Sequence, residues 1–346
     1  MFDRKNVKHY LLAISLLLVA TYIGNSYKNY VNKDTTNYEY DMIKEYLLND
    51  SPLYGMNKPK LWIHSKYEIN SRKWLDFQSR NTTNLNQPYL HITIQSIINN
   101  CSDDFHICLI DDKTFSKLLP GWDIDLPNVA DPMKSDLRDI ALLKIIHTYG
   151  GMIVPDSFLC SKNLIDTYNN GIENDLPFMS EIINKTYNYS DPLKPTFIPD
   201  IHFMGSNKKN PIIELIINFH KNENNGHFTS EFKFTGNKNR TYMDFIEKNK
   251  MNLINGKTIG VKSLDNKPIL IEDLLEDKFL DLCPSNVGIL IPKDELLIRQ
   301  KYNWFVYLTK EEIYNIDTAI TKYIKESEVN SLNLHKNKYI SSVTSI

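Results

Sequence analysis

The residues best suited to chemistry stand at one junction between a predicted helix and a predicted strand. Asp136, Arg138 and Asp139 open a long apolar helix, and Asp156 follows a short β-branched strand at residues 152–154. Open α/β sheets bind ligands at the carboxyl ends of their strands. A carboxylate at such an end, one turn from further charged residues on a helix, therefore indicates a binding site.

Each of these residues also has a plainer explanation. Aspartate is common in turns, so Asp156 is either a ligand-binding residue or a turn residue after a strand. Asp136 and Asp139 either contact a ligand or complement the positive end of the helix dipole. Arg138 either binds a phosphate group or forms a structural ion pair with these two carboxylates.

Two earlier strand ends carry candidates of the same kind. His64 ends a short apolar strand, and Asp111 and Asp112 follow the apolar segment 105–110. Strand ends favour ligand binding, while an Asp-rich turn and a core histidine are the ordinary alternatives.

The elements that must position these residues follow the order strand, helix, strand, which is the unit of a parallel sheet. Helical spacing of apolar residues predicts a helix after Pro88. Asp131-Pro132 predicts the start of a second helix, and Gly150 can take the left-handed position that ends it.

The second half of the chain has weaker patterns. It predicts strands at residues 197–204 and 287–291, a helix at 211–220 and a helix behind the capping box Thr309–Glu312. Residues 221–260 are polar and poorly patterned, so we predict a long excursion there.

The first 25 residues differ from the rest, because basic residues precede an uncharged run at 10–24. The run is shorter than the roughly 20 apolar residues of a full membrane span. The positive charge before it predicts a signal anchor with a cytosolic N-terminus; a cleaved signal peptide and a buried helix are the alternatives. We expect a cytosolic tail (1–9), an anchor (10–25), a stem (26–58), a main domain (59–310) and a C-terminal helix and tail (311–346).

Composition argues against several function classes. The formal net charge of the 346 residues is −2, so no strong field favours nucleic acid. The 4 cysteines form no CxxC pair, which argues against a zinc site. No GxSxG, HExxH or P-loop motif indicates an ordinary hydrolase. Glycosylation sequons compatible with a lumenal domain begin at Asn49, Asn81, Asn100, Asn184, Asn188 and Asn239.

The chain resembles the glycosyltransferases that carry the sugar-binding DXD region, the group that contains fungal initiating mannosyltransferases and bacterial capsule enzymes. The likeness rests on Pro59–His64, Leu109–Asp112 and Ser135–Gly151, and the Tyr-Gly-Gly turn is moderately specific. The resemblance implies an α/β domain with a GT-A-like nucleotide-sugar transferase fold. Such a fold has a mixed, mostly parallel sheet between helices, here behind an N-terminal membrane helix.

The chain departs from this family at two positions. Asp139 stands where the family has an Asp, but Leu142 occupies the position of the family's arginine. The Asp-x-Asp triplet falls on Pro155-Asp156-Ser157, so both outer carboxylates are missing. The motif needs carboxylates because a divalent ion offsets charge on the diphosphate leaving group and takes oxygen ligands. The resemblance therefore implies Mn²⁺ or Mg²⁺ with Asp156 as its metal ligand.

The resemblance also implies roles for the other candidates. Asp200 and His202, in a predicted extended segment, are implied as catalytic residues that line the sugar pocket, together with Asp156. The implied donor-binding residues are His64, Asp111, Asp136, Arg138, Asp139, Gly150 and Gly151.

The implied function is retaining transfer of a sugar from a UDP- or GDP-sugar donor to a glycan or glycoprotein acceptor. The implied location is a single-pass type II membrane protein with its domain on the lumenal or extracytoplasmic side. The alternative is a degenerate, non-catalytic transferase fold that acts as a glycan-binding or structural membrane protein. The missing Asp-x-Asp favours this alternative, and the retained acidic residues argue against it.

Overall fold

The computed structural model describes residues 58–65, 87–184, 196–224 and 231–328. The expected tail and anchor, and nearly all of the expected stem, lie outside these residues. Within the described ranges, none of the helices has both the length and the apolar content to cross a bilayer.

The described strands form two sheets. They are β1 (Lys60–His64), β2 (His106–Ile110), β3 (Gly151–Ile153), β4 (Phe158–Cys160), β5 (Phe178–Ile183), β6 (Phe197–Ser206), β7 (Asn252–Ile254) and β8 (Gly288–Leu290). The main sheet has six strands in the order β2-β1-β3-β6-β5-β7, and β4 pairs with β8 in the second sheet. The pairs β1–β2, β1–β3 and β5–β7 are parallel, whereas β6 runs antiparallel to β3 and β5.

Helices connect most of these strands. They are α1 (Tyr89–Cys101), α2 (Phe115–Leu118), α3 (Met133–Tyr149), α4 (Ile165–Gly171), α5 (Pro211–Asn224), α6 (Glu231–Glu247), α7 (Ile271–Leu275), α8 (Lys293–Ile298) and α9 (Lys310–Asn315). A further helical segment covers residues 319–328.

The main core lies where the sheet packs against α3, α5 and α6. Trp62 and Ile153 from neighbouring strands join one buried cluster with Ile140, Ile213 and Tyr242 from these helices. Burying a large apolar side chain contributes about 1.5–3 kcal/mol, so this cluster holds α3 against the sheet. Helix α1 packs against β4.

The prediction of a mixed α/β domain with a sheet between helices is confirmed at that level. The topology is compatible with a GT-A-like fold. The predicted order of strand, helix and strand corresponds to β1, α1 and β2, and the long predicted helix is α3, followed by β3. The predicted membrane helix lies outside the described residues and stays a prediction.

The prediction of a long excursion over residues 221–260 is wrong. Helix α6 and strand β7 both fall inside that range. The helix has polar residues on much of its surface, and of its described side chains Tyr242, Phe245 and Ile246 pack in or against the core. Its apolar stripe is therefore too narrow to predict a helix from the sequence. Strand β5 was not predicted either.

The two glycines between α3 and β3 set the spacing of the sheet. Helix α3 ends just before Gly150 as predicted, and the Gly150 N–H donates to the Ile146 carbonyl at 2.8 Å. Gly150 has a positive φ of 70°, but its ψ of −170° differs from the predicted left-handed helical conformation. Gly151 has a φ of 99°, and a Cβ at this position would lie 2.1 Å from the Lys60 carbonyl oxygen. Glycine is required here because β3 approaches β1 backbone to backbone.

Candidate functional site

The parallel strands β1, β2 and β3 end at the same edge of the main sheet, and each is followed by polar side chains. Strand β1 ends at His64, β2 is followed by Asp112, and Asp156 lies just after β3. Strand β6 runs antiparallel to β3, so the part of β6 before Met204, with Asp200 and His202, extends past the same edge. The fold therefore brings together strand ends that are far apart in the sequence.

Asp112 is the centre of one group of charges. Arg138 of α3 donates to it from Nε to Oδ1 at 2.8 Å and from Nη2 to Oδ2 at 2.6 Å. His64 Nε2 lies 3.0 Å from Asp112 Oδ1. Burial acts to raise the pKa of Asp112, but hydrogen bonds from Arg138 and His64 outweigh it and hold that pKa well below its usual range.

His64 is held between this group and the core. Its ring stacks on Phe115, with 5.4 Å between the ring centroids. Burial lowers the pKa of His64, and the positive charges of Lys293 and Arg138 lower it further, against the opposing effect of Asp112. The imidazole is therefore neutral at neutral pH and can offer either a donor or an acceptor.

Asp111 serves the turn that leads into α2. Its Oδ1 accepts a hydrogen bond from the Thr114 N–H at 2.8 Å, and its own N–H donates to Thr114 Oγ1 at 3.0 Å. This is the Asp-rich turn considered as the alternative. The predicted contact of Asp111 with a nucleoside stays a prediction, and the structure points to its neighbour Asp112 as the better placed residue.

Asp156 is buried and bound to a lysine. Its side chain is 1% exposed, and its Oδ1 accepts from Lys293 Nζ at 2.5 Å. Its Oδ2 has no hydrogen-bond partner among the described residues. The main-chain carbonyl of Asp156 accepts from Thr93 Oγ1 of α1 at 2.5 Å.

This donor set does not fit a divalent metal ion. Mg²⁺ requires several oxygen ligands in an octahedral arrangement, but Asp156 is the one carboxylate of the triplet and an ammonium already occupies one of its oxygens. Nowhere in the described residues do three or more His, Cys, Asp or Glu side chains form a metal-binding group. The predicted Mn²⁺ or Mg²⁺ at Asp156 stays a prediction that this geometry does not favour.

Helix α6 contributes a lysine that pairs with the start of α3. Lys238 Nζ lies 3.1 Å from Asp136 Oδ1 and 2.9 Å from Asp139 Oδ2. The Lys238 side chain is buried, whereas the two carboxylates keep part of their surface exposed. Both carboxylates thus have a cationic partner from a helix that was not predicted.

An irregularity in β6 places His202 beside Asp139. Met179 of β5 pairs with Met204, and the next residue, Ser180, pairs with Asp200, so three residues of β6 stand outside the regular ladder. His202 is one of them. Bulges of this kind re-aim side chains and are frequent next to active sites.

His202 lies between two carboxylates. Its Nδ1 is 3.0 Å from Asp200 Oδ1, and its Nε2 is 3.6 Å from Asp139 Oδ1. Burial acts to lower the pKa of His202, but Asp200 and Asp139 outweigh it and raise the pKa to about 8. Half of the side chain is exposed, so water screens part of this effect.

We define the strand-end site by the residues of these three groups of contacts. They are His64, Asp112, Asp136, Arg138, Asp139, Asp156, Asp200, His202, Lys238 and Lys293. Lys293 connects the Asp156 pair to the rest, because its charge acts on both His64 and His202. The roles assigned to the sequence-predicted members stay predictions.

Gly150 and Gly151 lie apart from the residues of the strand-end site, and the donor-binding role predicted for them stays a prediction. They lie at the start of β3, beside the first residue of β1, Lys60. With a rise of about 3.3 Å per residue, the start and the end of β1 are roughly 13 Å apart. An open groove of 340 Å³, lined by residues that include Trp122 and Tyr149, also contains no member of the strand-end site.

Sequence reasoning missed Lys238 and Lys293. Both are single residues among the 40 lysines and arginines of the chain. Lys293 follows the predicted strand at residues 287–291 and a proline, and a cation just after a strand was the one available indication of its role. Nothing in the pattern of α6 indicated that Lys238 faces α3.

No protein-family model and no curated protein matches this chain. Among solved structures, one titled "PaToxG Glycosyltransferase" is similar, with a TM-score of 0.30 and 13% sequence identity over 64% of this chain and 82% of that chain. A TM-score of this size does not establish a shared fold.

Proposed function

We propose that this protein is a glycosyltransferase that moves a sugar from a nucleotide-sugar donor to a glycan or glycoprotein acceptor. The observation that supports it is the convergence of His64, Asp112, Arg138 and Asp156 at the carboxyl edge of three parallel strands. Open α/β sheets bind nucleotides at this edge. The family resemblance of residues 59–210 supports the same class of donor.

In this proposal the two sides of the strand-end site have different tasks. The side formed by β1, β2 and α3 binds the nucleoside and its phosphates, through His64, Arg138 and Asp139. The side formed by the irregular part of β6 faces the sugar and the acceptor, through Asp200 and His202.

The transfer itself breaks one bond and forms one. The bond between the anomeric carbon and the diphosphate oxygen breaks, and its electron pair stays on the departing nucleoside diphosphate. The acceptor hydroxyl oxygen bonds to the anomeric carbon, and its proton passes to a base on the β6 side, where Asp200 and His202 lie. Retention of the anomeric configuration is part of the proposal and follows from the resemblance alone.

A thermal-shift panel tests the donor. UDP, GDP and their sugars, each with and without Mn²⁺, are added to the purified chain. A ligand at one hundred times its Kd stabilises a fold by about 2.7 kcal/mol, so one nucleotide is expected to raise the melting temperature clearly. If none of them does, the donor site does not exist and the proposal fails.

A non-catalytic, glycan-binding or structural protein is the second candidate, and one observation favours it. Asp112, Asp139 and Asp156 each already have a cationic partner within the protein. Release of the nucleoside diphosphate from a nucleotide sugar separates the two candidates, because only the enzyme produces it. A glycan that stabilises the chain, without any effect of nucleotides, supports the second candidate.

The membrane location is a further proposal, because residues 10–25 lie outside the described ranges. We propose a single-pass type II protein with the domain on the lumenal or extracytoplasmic side. Protease protection in sealed membrane vesicles measures this directly. A domain that is digested without detergent contradicts it.

A further inference from the structure

The position that the resemblance assigns to a metal ion carries a cation of the protein itself. Lys293 Nζ lies 2.5 Å from Asp156 Oδ1, at the middle residue of the altered triplet. The ammonium therefore stands at the strand end where a divalent ion would otherwise meet a diphosphate.

Main-chain pairing fixes this lysine in place. Strands β4 and β8 are antiparallel, with Phe158 opposite Leu290, and the Ile291 N–H donates to the Ser157 carbonyl at 3.1 Å. Two residues after Ile291, Lys293 begins α8, and its Nζ lies next to Asp156. Its position thus depends on a backbone ladder rather than on a long flexible loop.

Lys293 has donor capacity that the described residues do not use. An ammonium group carries three N–H donors, and in the described residues Asp156 is the partner of Lys293 Nζ. The Lys293 side chain is 22% exposed, so a ligand can reach it. Its charge also acts on His64 and His202, which lie on the two sides of the strand-end site.

Asp156 is suited to holding this lysine and poorly suited to holding a metal. Its side chain is 1% exposed, and one of its oxygens has no partner among the residues described. A buried carboxylate with one unsatisfied oxygen is costly unless a charge compensates it, and Lys293 provides that charge. A divalent ion at the same carboxylate would also be repelled by the ammonium.

We propose that Lys293 binds the diphosphate of the donor directly and supplies the positive charge that a divalent ion supplies in metal-dependent transferases. Asp156 is then a positioning residue for Lys293. Lysine is an established phosphate ligand that acts as a point charge. This inference rests on the proposed function, and it makes donor binding independent of metal ions.

Calorimetric titration with UDP and GDP tests the inference. The nucleotide that binds the wild-type protein is expected to have the same Kd in EDTA as in Mn²⁺. Loss of a charged hydrogen bond to phosphate should raise the Kd about 10- to 100-fold. Lys293→Met alone would leave Asp156 buried without a partner and could unfold the chain, so the main variant is the double substitution Lys293→Met with Asp156→Asn.

Two further variants serve as controls. Lys293→Arg keeps the charge and should retain most of the affinity in EDTA. Lys278 lies outside the strand-end site and pairs, at 2.6 Å, with Asp273 of helix α7. Lys278→Met should therefore leave the Kd unchanged. Circular dichroism establishes that each variant is folded.

The outcomes separate this inference from the proposed function. Nucleotide binding that requires Mn²⁺, or that survives the double substitution unchanged, overturns the role of Lys293 and leaves the transferase proposal standing. Absence of any nucleotide binding by the wild-type protein, with or without Mn²⁺, ends both. Metal-independent binding that the double variant loses and Lys278→Met keeps supports the inference.

Discussion

The edge where β1 and β3 begin and the edge where they end are held by different forces. At the beginning, Gly151 lets two backbones meet, and the Trp62 Nε1–H donates to the Gly150 carbonyl at 3.0 Å. At the end, ion pairs join the residues that follow the strands to nearby helices. Examples are Asp112 with Arg138 of α3 and Asp156 with Lys293 of α8. The edge where the strands begin, called the packed edge below, depends on close packing. The edge where they end, the charged edge, depends on paired charges.

This difference between the edges decides how the Tyr-Gly-Gly turn is interpreted. The turn is the more specific part of the family resemblance, yet Gly151 lies beside the start of β1, roughly 13 Å from the end of that strand. It therefore reports how β3 packs on β1, and the donor-binding role predicted for its glycines stays a prediction. Information about chemistry has to come from the charged edge.

The largest expected effect is at the packed edge. Gly151→Ala places a Cβ 2.1 Å from the Lys60 carbonyl oxygen, at a φ of 99°. Neither strand can withdraw without breaking the ladder, so we expect a loss of about 4 kcal/mol or more in the free energy of unfolding, measured by urea denaturation.

Gly236→Ala is the matched control. Gly236 lies inside helix α6, and a Cβ added there would meet no atom of the described residues within 4 Å. Alanine should stabilise that helix by about 0.5–1 kcal/mol. If Gly151→Ala is as stable as Gly236→Ala, close packing does not define the first edge.

The second largest loss of stability is expected at the charged edge, and its cause is electrostatic rather than steric. Arg138→Met removes the guanidinium from a carboxylate that is 16% exposed, and breaking a buried pair costs about 3–5 kcal/mol. The loss should be electrostatic, so adding Asp112→Asn should recover much of it. Urea denaturation of the two single variants and the double variant measures this coupling.

Acid should reduce the effect of Arg138→Met. The paired Asp112 has a depressed pKa, so its contribution is present at neutral pH and is lost as the pH falls below about 4. Wild type and Arg138→Met should converge in stability at low pH. A steric loss, as at Gly151, would be the same at every pH, and such a result would remove the distinction between the edges.

The sequence predicted the packed edge better than the charged one. Helical spacing and the double glycine predicted α3, its end and β3, because these features are local. The strand-end acids were also predicted, since a strand's end is visible as a change from apolar to polar residues. Only the structure shows that Asp111 closes the turn and Asp112 faces the site. The choice between these adjacent side chains depends on the hydrogen bond between Asp111 and Thr114.

The cations could not be predicted in the same way. Lys293 reaches Asp156 through the pairing of β4 with β8, and these strands are separated by more than one hundred residues. Lys238 lies in a polar helix whose position is set by the core and by the acids it meets. The irregular pairing that turns His202 toward Asp139 depends on β5, which has no distinct sequence pattern. Partners of charged residues are thus a tertiary property.

The smallest expected effect concerns His202, where the charged edge meets solvent. Its pKa in the folded protein is raised to about 8, mainly by Asp200 and Asp139 against the effect of burial, while Lys293 opposes them. The unfolded value is about 6.5. A raised pKa means that this contribution to stability is complete below about pH 6.5 and is lost as the pH rises through 8.

His202→Gln should therefore be less stable than wild type at pH 6, and the two should converge by about pH 9. Because half of the His202 side chain is exposed, the difference should be about 1 kcal/mol or less. Melting curves across this range measure it, and Asp200→Asn should reduce the same pH-dependent difference. A constant gap between wild type and His202→Gln would show that His202 contributes by packing. In that case the charged edge would end at Asp139 and would not include the irregular part of β6.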